Sequence, residues 1–254
     1  MTHRILILGG TTEAPHLAGK LGTRADLEVT LSLAGRTEKP VAQPVPTRTG
    51  GFGGVQGLAT YLRDQKIDLL IDATHPYAAR ISTNAAQAAR LTGVPVLALR
   101  RPAWKPVEGD HWTLVEDVTQ AIAALGKVRR NIFLALGRQE LAGFAAAPQH
   151  FYVIRSVDPV EPPLAVPDAT YILARGPFAE EDDRALLGQH RIEAIVAKNS
   201  GGAASYGKIA AARKLGVEVI LLCRPDLPDL PFAETVDAMM ALVDHSLDPE
   251  KRGV

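Results

Sequence analysis

Four consecutive branched apolar residues, Ile5-Leu6-Ile7-Leu8, followed at once by Gly9-Gly10-Thr11-Thr12, leave this chain few ways to begin. A run without polar alternation suits a strand covered on both faces, as in a parallel sheet between helices. The glycines break the strand, and Thr11 or Thr12 is placed to cap a helix starting near Glu13. A strand that ends in glycines and opens a helix turns several backbone N–H groups toward one point, which favours an anion such as a nucleotide phosphate. Against the dinucleotide pattern G-x-G-x-x-G/A, Gly9 and Ala14 match the outer positions and Thr11 stands where the second glycine belongs. A cofactor turn and an ordinary tight strand–helix corner both satisfy this stretch.

The alternation continues. Helices are predicted over 13–23, 55–65 and 78–91, and strands over 27–33, 67–71 and 94–99. Residues 100–110, with Arg101-Pro102, Trp104, Pro106 and Gly109, read as a linker. A strand over 112–115 and a helix over 118–125 belong to either side of it. Strands then recur over 132–136, 152–156, 171–174, 192–196 and 217–222, with helices over 138–146, 180–189, 206–215 and 236–246. The expected fold is α/β, with two parallel-sheet domains over 1–104 and 105–254 and a boundary between 100 and 130. The carboxyl ends of both sets of strands would face a cleft between them.

Composition excludes several classes. With 28 basic and 28 acidic residues among 254, no net charge recruits nucleic acid or an anionic membrane, so any basic site is local. Cys223 is the only cysteine, which rules out an intrachain disulfide and suits a reducing cytoplasm. The N-terminus lacks a signal-peptide pattern, and no segment approaches 18 consecutive apolar residues. The expectation is a cytoplasmic protein, a monomer or weak homo-oligomer, with neither nucleic acid nor membrane as partner.

The chemistry sits at strand ends. After the second strand, Arg36 and Thr37 stand where NAD enzymes keep an acidic residue for the ribose, and an arginine beside a hydroxyl accommodates a 2′-phosphate. That points to NADP(H); a solvated loop arginine reads the same. Gly50-Gly51-Phe52-Gly53-Gly54 costs backbone entropy that close approach of a cofactor would justify, with Phe52 packing on a flat ligand; the alternative is a flexible connector. In Asp72-Ala73-Thr74-His75-Pro76-Tyr77, Thr74 can cap the next helix and Pro76 suits its first turn. His75 can donate to a ligand or act as an acid near neutral pH, or be structural. Lys198-Asn199-Ser200-Gly201-Gly202 repeats the strand–glycine–helix pattern with a cation, a candidate carboxylate or phosphate cradle. Arg138 and Arg175, also at strand ends, are candidates for the same cleft or ordinary loop charges.

Other chemistries are missing. There is no G-x-S-x-G elbow and no G-x-x-x-x-G-K-[S/T] loop. The seven histidines are scattered without an H-E-x-x-H pair, so no metal is expected. No tyrosine is followed four residues later by lysine, which excludes the short-chain reductase pair.

Taken in order, Ile-Leu-Gly-Gly-Thr-Thr-Glu-Ala (7–14), Ser-Leu-Ala-Gly-Arg-Thr (32–37), Gly-Gly-Phe-Gly-Gly (50–54), Ile-Asp-Ala-Thr-His-Pro-Tyr-Ala (71–78), Arg-Pro-Ala-Trp (101–104), Leu-Gly-Arg-Gln-Glu-Leu (136–141) and Ala-Lys-Asn-Ser-Gly (197–201) span most of the chain. With them the chain resembles the precorrin-6A reductases of cobalamin biosynthesis. The resemblance implies two Rossmann-like domains with NADPH and tetrapyrrole in the cleft between them, and NADPH-dependent reduction of precorrin-6A to precorrin-6B. A relative acting on the cobalt-containing intermediate of the anaerobic pathway is similar. The expected cofactor contacts are Gly9, Gly10, Thr11, Thr12, Arg36, Thr37, Gly51, Phe52, Gly53, Thr74 and His75. Lys198, Asn199, Ser200, Gly201, Arg138 and Arg175 would meet the polycarboxylate substrate. His75, Tyr77 and Lys198 are proton-donor candidates by position. The competing readings are a non-catalytic nucleotide or tetrapyrrole binder and a two-domain sugar-nucleotide enzyme.

Overall fold

The computed structural model describes residues 2–35 and 42–248; Arg36 and Thr37 lie outside the described residues. The chain divides into two compact units, one running to Pro102 and resuming at Pro225, the other spanning Ala103–Arg224.

The first unit opens with β1 (His3–Gly9), α1 (Glu13–Gly22), β2 (Leu27–Leu33), β3 (Thr47–Thr49), α2 (Gly54–Asp64), β4 (Leu69–Ala73), α3 (Ala79–Thr92) and β5 (Val96–Leu99). The second holds β6 (Trp112–Val115), α4 (Val118–Leu125), β7 (Asn131–Ala135), α5 (Arg138–Leu141) with a 3-10 turn (Ala142–Ala146), β8 (Phe151–Ser156), β9 (Ala169–Leu173), α6 (Glu180–Gln189), β10 (Ala194–Lys198), α7 (Gly207–Leu215) and β11 (Glu218–Leu222). The chain then returns to the first unit as β12 (Phe232–Ala233) and α8 (Val236–Leu247).

Among the described residues every strand pairing is parallel. The first sheet runs β3-β2-β1-β4-β5-β12, the order of doubly wound dinucleotide-binding sheets. Its centre is β1, as the unbroken apolar run predicts. Ile5 and Ile7 pack with Leu17 and Leu21 of α1 and Met239 and Val243 of α8 on one face. Leu6 and Leu8 pack with Leu58 and Leu62 of α2 and Ala85 and Ala88 of α3 on the other. Each such side chain contributes roughly 1.5–3 kcal/mol, which makes β1 the anchor of this core.

The second sheet runs β9-β8-β7-β10-β11-β6. Strands β7 to β11 repeat the order of β1 to β5, but the sixth position is filled by a strand that precedes them rather than follows. One face of this core gathers Phe133, Val153, Ile195 and Val219 with Leu187 of α6 and Ile209 of α7.

The units divide at 102/103, inside the expected 100–130 boundary, and the expected assignment of the closing segment to the second domain is corrected. Trp104 belongs to the second unit, where its indole N–H donates to Gly202 O at 2.9 Å. The last helix belongs to the first unit, because β12 pairs with β5 and the apolar side of α8 completes the α1 face.

Candidate functional site

In a doubly wound sheet the ligand crevice lies at the carboxyl ends where the strand order reverses. In the first unit that point is between β1, whose chain proceeds to β2 and β3, and β4 on its other side. It brings together Gly9-Gly10-Thr11 and Asp72-Ala73-Thr74-His75, with Gly9 paired to Ala73. A Cβ on Gly10 would lie 3.0 Å from His75 N and 3.4 Å from Thr74 Cα, so glycine is what lets the two loops approach.

The hydroxyls depart from the predicted capping roles. Thr12 occupies the N-cap of α1 but makes no side-chain cap bond; its hydroxyl donates to Glu13 Oε2 at 3.1 Å. Thr11 Oγ1 donates to Ala73 O at 3.1 Å. Helix α3 starts at Ala79, with Ala78 as its N-cap, so neither Thr74 nor Pro76 begins it. Thr74 closes a local turn on the buried Asp72: its N–H and hydroxyl donate to Asp72 Oδ1 at 3.1 and 2.6 Å, and its hydroxyl lies 3.3 Å from Ser82 Oγ. A nearby acceptor within the fold outcompetes the helix terminus in each case.

His75 is half-buried, and its Nδ1 accepts from Tyr77 N–H at 3.3 Å, which leaves the proton of a neutral ring on Nε2. The two rings stand 5.6 Å apart. Beside the glycine turn, Arg101 Nη1 lies 3.1 Å from Glu13 Oε2. Burial alone would raise the Glu13 carboxyl; the Arg101 charge and hydrogen bonds from its own backbone, Thr12 and Arg101 take it below the ordinary value instead.

The glycine loop has a defined shape. Gly50, Gly53 and Gly54 adopt φ of 113°, 79° and 86°, which a side chain would strain, and a Cβ at any of Gly50, Gly51, Gly53 or Gly54 would meet no atom within 4 Å. The loop thus presents bare backbone to open space. Phe52, expected to pack on a flat ligand, has partners within the fold: its ring packs edge-on to Tyr61 at 5.2 Å and beside the α2–α3 core. Arg48, absent from the predicted residues, lies over that ring at 3.8 Å and donates to Gly50 O and Gly51 O. Its carbonyl partners lie only two and three positions away, yet no residue pattern announces them.

The second unit has an equivalent reversal between β7 and β10. There Lys198 Nζ donates to Glu140 Oε1 at 2.6 Å, and Glu140, another residue missed in the sequence, sits tightly against Gly137. The amide of Asn199 grips the backbone of Trp104, accepting from the N–H at 2.8 Å and donating to the carbonyl at 3.0 Å. Ser200 N–H donates to Lys198 O at 2.8 Å, and Gly201 adopts φ of 68° to make the turn. Arg138 opens α5 and Arg175 follows β9, both exposed. Among the described residues no group of three or more His, Cys, Asp or Glu could hold a metal ion, and no helix is long and apolar enough to cross a membrane.

Comparison with known proteins converges on one group. A precorrin-6A reductase of Sinorhizobium sp is 58% identical over 246 residues, covering 97% of this chain and 94% of the relative. One of Rhodobacter capsulatus is 49% identical over 252 residues, covering 99% of each. The solved structure of CobK precorrin-6A reductase superposes with a TM-score of 0.93 at 48% identity over the whole of both chains. The family model of the precorrin-6x reductases CbiJ/CobK matches residues 4–244. The chain belongs to the precorrin-6x reductase CbiJ/CobK family.

Proposed function

We propose that this chain reduces precorrin-6A to precorrin-6B with NADPH. The observation that carries the reading is the reversal point of the first sheet, where Gly10 lets the β1 and β4 loops meet; the open glycine loop follows β3 of the same sheet. A reductase of this family calls for a nicotinamide cofactor, which supplies the hydride when bound. The remaining work of the protein is to bind, orient and protonate.

Gly9, Gly10 and Thr12 would take the cofactor phosphates at the start of α1. Thr11 serves there through its backbone, since its hydroxyl proton is already given to Ala73 O. Arg36 and Thr37 would hold the 2′-phosphate, the chemistry that selects NADPH over NADH. The backbone of Gly51 to Gly53 would lie along the cofactor, and Thr74 and His75 would close its other side. Lys198, Ser200, Gly201, Arg138 and Arg175 would meet substrate carboxylates, while Asn199 shapes that loop by holding Trp104. Of the three proton-donor candidates, Lys198 is held in an ion pair by Glu140 Oε1. His75 and Tyr77 are the other two candidates by position, and the bond from Tyr77 N–H to His75 Nδ1 orients that ring.

The purified protein mixed with precorrin-6A and NADPH should consume the reduced nicotinamide, and Arg36→Ala should narrow its preference over NADH. Binding of both ligands without oxidation would overturn the reading in favour of a binder. Turnover of cobalt-precorrin-6A alone would move the protein to the anaerobic intermediate. Affinity for a uridine diphosphate sugar and none for NADPH would indicate a sugar-nucleotide enzyme.

A further inference from the structure

We propose that Arg48 is a positioning residue for the nicotinamide cofactor, turning the amides of Gly51 and Phe52 toward it; this rests on the reading that the glycine loop lies against the cofactor. Strand β3 places Arg48 opposite Ser32 of β2. From there Nη1 donates to Ser32 Oγ at 2.8 Å and to Gly50 O at 2.9 Å, and Nη2 donates to Gly51 O at 3.0 Å. The guanidinium is stacked at 3.8 Å from the Phe52 ring centre and 5.3 Å from that of Tyr61.

Two successive carbonyls are therefore drawn toward one planar cation. In a trans peptide the C=O and the following N–H point to opposite sides, and the bonds after Gly50 and Gly51 are trans. The N–H groups of Gly51 and Phe52 must then face away from Arg48. Consecutive amides turned the same way form a concavity that accepts a phosphate, carboxamide or hydroxyl oxygen. Lysine could not replace the arginine, because a single ammonium neither grips two carbonyls in a fixed fork nor stacks on a ring.

The full-length protein supplies the test, with the Kd for NADP+ measured by titration calorimetry beside Tm and steady-state kinetics. Gly51 lies outside the left-handed region and its Cβ would meet nothing within 4 Å, so Gly51→Val should fold normally yet obstruct any ligand on the loop. It is expected to weaken NADP+ about tenfold or more at unchanged Tm. Arg48→Lys should weaken NADP+ by about tenfold, with kcat at saturating cofactor and the substrate KM held within about twofold. Phe52→Leu, which removes the ring beneath the guanidinium together with its packing on Tyr61, should shift Kd the same way and serves if an Arg48 variant folds poorly. If Arg48→Lys and Phe52→Leu lower Tm but bind NADP+ like the parent while Gly51→Val does not, Arg48 is a structural brace and the proposal fails. If Gly51→Val also binds NADP+ unchanged, the loop is not at the cofactor and the underlying reading fails with it.

Discussion

At Glu13, burial and charge pull in opposite directions, and charge wins. The carboxyl sits below its ordinary value of 4.5 because Arg101 and local hydrogen bonds favour the ionised form more than partial burial opposes it. A carboxyl lowered in the folded state adds stability above the unfolded value, and that stability is lost as pH falls through the folded value. Glu13→Gln should therefore lower Tm by roughly 2–4 °C near neutral pH. The deficit should shrink below about pH 4.5, where the parent loses the same charge. A deficit independent of pH would mean that packing of the side chain, not its charge, is what matters. The residue scale is also where the sequence was least legible. Thr11, Thr12 and Thr74 are all of a type that caps helices, yet two hydroxyls found carboxylates and the third a carbonyl 62 positions away. Asn199 was readable as polar and close to a turn, but its partner Trp104 is 95 positions distant. Side-chain type predicts capacity for a hydrogen bond, and only the fold decides the recipient.

Elements were legible in proportion to the apolar surface they bury. Strand β1 could be read directly, since four adjacent branched residues have no other economical use, and the long helices followed from their spacing. Strand β3, Thr47-Arg48-Thr49, has no apolar residue and is created by the free edge of β2. Strand β12 is two residues long and owes its existence to β5. The helix expected over 138–146 is one α-turn continued by a 3-10 turn. Helix α2 shows how a glycine within an element can answer to a loop outside it. A Cβ on Gly57 would lie 1.7 Å from Phe52 O, so the carbonyl of the glycine loop occupies the space a side chain needs. Alanine is intrinsically the better helix former by about 1 kcal/mol, yet Gly57→Ala should destabilise by roughly 1–3 kcal/mol because backbone must move. Urea denaturation would measure it, and a neutral or stabilising result would show that the loop yields easily. Gly51→Ala is the matched control, since nothing crowds it.

For the whole molecule, the two α/β units were legible as alternation, and their membership was not. Nothing in the sequence of 225–248 distinguishes a last helix of the second unit from a return to the first; the apolar side of α8 fits either. The distinction lies in which face lacks cover, and Met239, Val243 and Leu247 fill the one left open above α1 and β1. A chain ending at Arg224 should accordingly lose the first unit, with exposed core and poor solubility. A fragment of 103–224, which contains all six strands of the second sheet, should retain a cooperative urea transition. Circular dichroism of both fragments would check this, and a stable first unit without residues 225–254 would refute it.

That return also imposes an order on biosynthesis. As the polypeptide leaves the ribosome, the opening half emerges with its outer strand position vacant and one face of β1 only partly covered. The middle of the chain holds all six strands of its own sheet, so it can consolidate while translation continues. The part made earlier must instead wait for α8. Truncated products of interrupted translation would then display the oldest part of the protein as its least finished, marking them for proteolysis however well their centre has folded.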